Sequence, residues 1–186
     1  MNFLNLLDKR PEPTVNIYDD IVLKGGEMVN IYGEPFSGKT LLCYWIINNN
    51  PDKTVFYFDT ECSPYPFLEK TGEDIPIVYS NAKEIEKIVD IIIRSIDLLD
   101  YIIIDSLTGV ILEEHERRLL DMISVIKKAK KNLVVVSQLR EYNQQKFYEH
   151  KKLLNFFSYK AEVKREGGVS VVNDHFVIDE KFLSKI

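Results

Sequence analysis

The chain has 186 residues, 45% hydrophobic and 28% charged, and its 24 basic and 29 acidic side chains give a net charge of −5. That length suits one domain with its own core, and that composition excludes a disordered or fibrous protein. The acidic balance excludes a protein that coats nucleic acid over its whole surface, though it leaves room for a local basic patch.

The two cysteines, Cys43 and Cys62, form no C-x-x-C, and the three histidines are scattered at 115, 150 and 175. Neither a disulfide framework nor a structural zinc site is expected. The opening MNFLNLLDKRPEP lacks the basic start and long apolar core of a signal peptide. No run nears the roughly 18 apolar residues of a membrane span. The expectation is a soluble, cytoplasmic protein that does not enter a membrane.

Residues 1–14 read as an extended lead-in marked by Pro11 and Pro13, and 15–186 as a single domain. Met28-Val29-Asn30-Ile31-Tyr32 is a predicted strand. A loop follows, then a helix from about Ser37 to Asn48, stopped at Asn48-Asn49-Asn50-Pro51. Val55 to Phe58 is a second strand, and Ile75 to Tyr79 a shorter, peripheral one marked by Pro76. Ile85, Ile88, Val89, Ile92 and Ile96 recur at helical intervals. Tyr101 to Ile104 is a buried strand ending in Asp105. A charged helix over 112–131 puts Leu112, Leu119, Ile123 and Ile126 on one face, and Leu133 to Val136 is a fourth buried strand. Beyond Gln138 come a polar, basic, aromatic stretch, an apolar helix end at 153–157, and a small β-meander over 159–178. Strands apolar on both faces, separated by helices, predict an α/β fold: a mostly parallel sheet covered by helices on both faces.

Gly33, Glu34, Pro35, Phe36, Ser37, Gly38, Lys39 and Thr40 fit G-x-x-x-x-G-K-[ST] in full, between a predicted strand and a predicted helix that continues through Leu41. Such a loop curls its N–H groups toward phosphate oxygens, and the helix adds its partial positive charge at the same point. Lys39 would reach the β- and γ-phosphates, and the Thr40 hydroxyl would hold Mg²⁺. Asp105 ends a run of four large apolar residues, where open α/β sheets present ligand-binding groups, and would bind the metal through water or hold Thr40. Glu61 follows the strand 55–58, and Gln138 closes the strand 133–136. Both are expected at the carboxyl edge, Glu61 to activate a water and Gln138 to sense the γ-phosphate.

As a set these segments resemble the RecA/RadA superfamily of recombinase ATPases: Met28 through Thr40, Val55 through Glu61, Tyr101 through Ser106 and Leu133 through Gln138. The likeness is greatest to short archaeal RadB-like paralogues, and KaiC-type ATPases share much of the pattern. The resemblance covers about residues 17–180. It implies a RecA-like P-loop NTPase core with a C-terminal β-meander, ATP as nucleotide, Glu61 as water-activating base and Gln138 as switch. The chain departs from recombinases in four ways. Its length leaves no room for their N-terminal helical domain. Phe3-Leu4-Asn5-Leu6 does not match their polymerisation peptide. Phe36 replaces the usual glycine, so its ring must face outward. Between Val169 and Ile178 no Lys or Arg is available to reach a neighbour's ATP. Without such a cation turnover is expected to be slow, since an arginine finger is worth about 10³–10⁵ in rate.

Residues 140–165 hold seven basic and three acidic residues, a net of +4, against 17 basic and 26 acidic in the rest, a net of −9. Arg140, Tyr142, Lys146, Phe147, Tyr148, Lys151 and Lys152 interleave charge with rings, a pattern suited to single-stranded DNA. The same stretch also reads as an amphipathic helix, with Phe147, Leu154 and Phe157 at helical spacing in the core. The functional expectation is a slow Mg-dependent ATPase assisting recombination or repair, with single-stranded DNA, a recombinase or a second copy as partner. A KaiC-like regulatory ATPase that touches no DNA is a second reading. A module that uses nucleotide only to hold its shape is a third.

Overall fold

The computed structural model describes residues 12–60, 77–80, 85–107, 116–142, 145–148 and 153–178. It opens with an antiparallel hairpin of β1 (Val15–Tyr18) and β2 (Ile21–Leu23), a pair that the sequence pattern did not announce. Residues 12 and 13 lie against the turn after a later helix: Lys130 Nζ donates to Glu12 at 2.6 Å, and Asn132 Nδ2 donates to Pro13 O at 3.1 Å.

Then follow β3 (Met28–Gly33), α1 (Lys39–Asn48), β4 (Val55–Asp59), β5 (Ile77–Ser80), α2 (Ile85–Ser95), β6 (Tyr101–Asp105), α3 (Glu116–Lys128) and β7 (Asn132–Tyr142). The chain continues with β8 (Gln145–Tyr148), β9 (Tyr159–Glu166), β10 (Val169–Val172) and β11 (Phe176–Ile178). Among the described residues β3 to β11 form one nine-stranded sheet in the order β11-β10-β9-β3-β7-β6-β4-β5, with β8 paired to β7. From β9 to β5 all neighbours run parallel, and β8, β10 and β11 are antiparallel additions. The protein is therefore a mixed α/β fold built on a largely parallel sheet.

Side chains alternate across a strand, so each parallel strand serves two cores. On one face Val29, Ile31, Tyr57, Ile103 and Val134 pack under Leu42, Cys43, Ile46 and Ile47 of α1 and under Val15, Ile17 and Leu23 of the hairpin. On the other, Phe56, Phe58, Ile102, Ile104 and Val135 meet Ile88 and Ile92 of α2 and Leu119, Ile123 and Ile126 of α3. Each fully buried side chain of this kind stabilises the fold by about 1.5–3 kcal/mol. Helix α1 is apolar nearly all round because it lies between the sheet and the hairpin.

Several boundaries differ from the expectations. Helix α1 starts at Lys39 rather than Ser37, because Gly38 sits at φ +102°, outside helical space. The α2 helix gives way to a 3₁₀ turn at Ile96–Leu98, and α3 is helical from Glu116, Leu112 lying outside the described residues. Strand β7 runs on to Tyr142 and turns back as β8, so the helical spacing of Phe147 does not apply. The expected apolar helix end is a 3₁₀ turn at Leu153–Phe156. The C-terminal meander joins the main sheet, with β9 parallel to β3. The peripheral strand β5 is indeed the sheet's outer strand beyond β4.

Candidate functional site at the carboxyl edge of the sheet

The 33–40 loop leaves the carboxyl end of β3 and enters α1 with no side-chain cap and no acidic residue in the first turn. The first turn of that helix thus brings no carboxylate of its own to its partial positive charge, which suits an anionic ligand. Lys39 is 8% exposed, and its Nζ donates to Glu34 O at 2.7 Å, so the ammonium lies inside the curl of the loop. Ser37 is buried, and its hydroxyl has no hydrogen-bond partner among the described residues. Phe36 takes φ +63° and is 97% exposed, its ring outward as its bulk requires. An orphaned hydroxyl, a folded-in lysine and an uncapped helix N-terminus fit the oxygens of a phosphate.

The glycines of the loop are set by what lies beside it. A Cβ on Gly33 would stand 2.2 Å from Val163 O, and one on Gly38 would stand 2.1 Å from Ser170 Oγ. The loop is thus pressed against β9 and β10. Between them opens a cleft of ≈ 270 Å³ lined by Gly33, Glu34, Pro35, Ser37 and residues 162–166 of β9. Lys164 and Arg165, two of the seven basic residues of 140–165, stand in this wall beside the loop, a position the sequence pattern does not signal. Arg165 Nη1 donates to Ser170 Oγ at 2.9 Å, and Lys164 Nζ lies 2.7 Å from Asp174 Oδ1. The turn residue Asn173 is structural. Its Nδ2 donates to Tyr18 OH at 2.6 Å, and its Oδ1 accepts from Glu162 N at 2.8 Å.

Asp105 ends β6 in register with Asp59 of β4 and is 6% exposed. Tyr57 OH donates to Asp105 Oδ2 at 2.8 Å. Burial, and next the Asp105 carboxylate, push the Cys43 thiol of α1 well up, while Lys39 opposes the shift. Thr60 N donates to Asp105 O at 2.8 Å, and Ser106 N to Thr60 Oγ1 at 2.8 Å. The Thr60 hydroxyl in turn donates to Ser106 O. The Asp105–Ser106 peptide bond is cis. The Thr60 hydrogen bonds fasten the end of β4 to the end of β6. Glu61, one residue further, lies outside the described residues.

Gln138 stands opposite Gly33 in the β3–β7 register, at the root of the loop, and is partly exposed. Below it, buried Ser137 donates to Asn30 Oδ1 at 2.8 Å. Beyond Gln138, β7 and β8 form a hairpin that pairs Arg140 with Phe147, Glu141 with Lys146 and Tyr142 with Gln145. Lys151 and Lys152 lie outside the described residues. The described fold thus brings the 33–40 loop, Asp105 and Gln138 to one sheet edge, with the paired β7 end and β8 continuing from it. Among the described residues no helix is long and apolar enough to cross a membrane.

No protein-family model matches the chain, and no curated protein matches it.

Proposed function

We propose that the protein binds ATP with Mg²⁺ and hydrolyses it slowly, as a RecA-like NTPase of the RadB type acting beside single-stranded DNA or a recombinase. The observation that carries the reading is the 33–40 loop: an uncapped helix N-terminus, Lys39 folded into the loop and the orphaned Ser37 hydroxyl, all at the sheet edge that also holds Asp105. Lys39 leaves Glu34 O and binds the β- and γ-phosphate oxygens. Thr40 and Asp105 would hold Mg²⁺, whose charge would offset that of the phosphates. A site with so few protein ligands suits this ion, which keeps several of its waters. Glu61 takes a proton as water attacks the γ-phosphorus. The bond to the bridging oxygen breaks, and ADP and phosphate leave. Gln138, in register with Gly33 at the root of the loop, would respond to the γ-phosphate and pass that change along β7, which pairs with β8.

The direct test is equilibrium binding of a fluorescent ATP analogue with MgCl₂ to the wild type and to Lys39→Ala. Saturable binding that the variant loses supports the proposal, and a wild type that binds no nucleotide ends it. Phosphate release by the wild type and by Glu61→Gln separates an enzyme from a module that only holds nucleotide. Equal near-zero rates with intact binding favour the latter.

A further inference from the structure

Tyr57 is a buried phenol that the nucleotide reading leaves without a role. It lies in the middle of β4, on the sheet face covered by α1. Its ring stacks on Tyr44 of α1 with centroids 5.8 Å apart and an interplanar angle of 27°. Its hydroxyl donates to Asp105 Oδ2 at 2.8 Å. Tyr44 lies one turn beyond Lys39 and Thr40 on the same helix. The Tyr44–Tyr57–Asp105 chain therefore links the helix that follows the 33–40 loop to the carboxylate across the site.

We propose that Tyr57 is a positioning residue for the Mg²⁺ site, orienting the Asp105 carboxylate by its hydrogen bond and referring it to α1 through the ring of Tyr44. The inference rests on the nucleotide reading above. Its physical basis is that a buried carboxylate needs donors to stay ionised and in one rotamer. A phenol supplies one donor on a rigid ring with few rotatable bonds. Partners of this kind behind a metal ligand are typically worth about 10–100-fold in metal affinity.

The experiment is a MgCl₂ titration of the affinity for a fluorescent, non-hydrolysable ATP analogue, with EDTA as the zero point. It is run on the full chain as wild type, Tyr57→Phe, Asp105→Asn and the double variant. In Tyr57→Phe the Mg²⁺ concentration giving half of the affinity gain should rise about tenfold or more. In the Asp105→Asn background the same change should add nothing, because Tyr57 acts through the carboxylate. Should Tyr57→Phe alone fail to fold, the double variant replaces the charge by an amide and still tests the point against Asp105→Asn. A wild-type midpoint in Tyr57→Phe beside a shifted Asp105→Asn overturns the positioning role and leaves the nucleotide reading standing. A further shift in the double variant overturns it as well. A wild type that binds no analogue ends the nucleotide reading and this inference with it.

Discussion

Gly38 and Ser170 approach so closely that a Cβ on Gly38 would stand 2.1 Å from the Ser170 hydroxyl oxygen and 2.7 Å from its Cβ. The contact holds the start of α1 against β10. Gly38 also takes φ +102°, which L side chains rarely adopt. Gly38→Ala should therefore lose about 1–3 kcal/mol of stability from backbone strain, with overlap added. At roughly 2–4 °C per kcal/mol for a chain of this size, the melting temperature should drop by several degrees. Ser170→Gly in the same background should restore the part due to overlap. A melting curve for Gly38→Ala that superposes on wild type would contradict the close approach.

The second prediction concerns Asn50. It is buried at the end of α1, and its Nδ2 donates to Asn16 O at 2.8 Å and to Ile46 O at 2.7 Å. Its Oδ1 accepts from Asn16 N at 2.9 Å. One side chain thus closes the helix and ties it to β1. Asn50→Ala should cost about 2–4 kcal/mol, since several buried backbone groups lose partners together. Asn50→Asp should cost at least as much, because it sets a negative charge beside two carbonyl oxygens. Urea unfolding measures both, and a loss below about 0.5 kcal/mol, the low end for a single hydrogen bond, would show that the tie contributes little.

Alkaline pH gives the third. Burial is the first cause that raises Cys43, Tyr57 and Tyr101 above their ordinary values of 9.0, 10.0 and 10.0. Nearby acidic groups add to the shift in each case. The folded state thus keeps protons that the unfolded chain releases. Stability from these groups is complete below their unfolded values and falls as pH rises past them. Unfolding free energy should start to fall near pH 9 as the thiol ionises in the unfolded chain. The slope should steepen near pH 10, each group adding about 1.4 kcal/mol per pH unit. Cys43→Ala should move the onset toward pH 10. An onset left at pH 9 in that variant would assign the first phase to another group.

Much of the sheet was legible because its strands are unambiguous. Val55 to Phe58, Tyr101 to Ile104 and Leu133 to Val136 are apolar at every position, as strands covered on both faces must be. The carboxyl-edge positions of Asp105 and Gln138 follow from those strand ends. What escaped the reading depends on partners distant in the chain. The glycines at 33 and 38 signal close approach, but nothing local says that Val163 O and Ser170 are what approaches. Asn50 reads as a helix stop, and its bonds to Asn16 require the β1–β2 hairpin, whose strands are only four and three residues long. Residues 139–142 and 145–148 pair antiparallel beyond the parallel sheet, where charged and aromatic side chains carry no clear period.

The fourth prediction follows from the nucleotide reading. Lys39 donates to the Glu34 carbonyl inside the loop, and in the nucleotide reading its ammonium makes a charge-assisted bond to phosphate that Lys39→Ala removes. Lys39→Ala should weaken ATP about 10–100-fold, the range set by roughly 1.5–3 kcal/mol for a hydrogen bond to a charged group. Its melting temperature without nucleotide should stay within a few degrees of wild type. Equal ATP affinity in the two proteins would remove the 33–40 loop from the binding site.

The last prediction separates a DNA-binding protein from a regulatory ATPase. The hairpin of β7 and β8 carries Arg140 and Lys146 and springs from the strand that holds Gln138 at the root of the loop. If single-stranded DNA lies along it, each phosphate neutralised adds about −0.7 to the slope of log K against log salt. Arg140→Ala with Lys146→Ala should therefore weaken binding of a labelled oligonucleotide at low salt and flatten that slope by about 1.4. Because Gln138 and the hairpin share one strand, the wild-type affinity should also differ between ATP and ADP. No binding even at low salt would favour the regulatory reading. Binding that is indifferent to the two substitutions would move the contact to another surface.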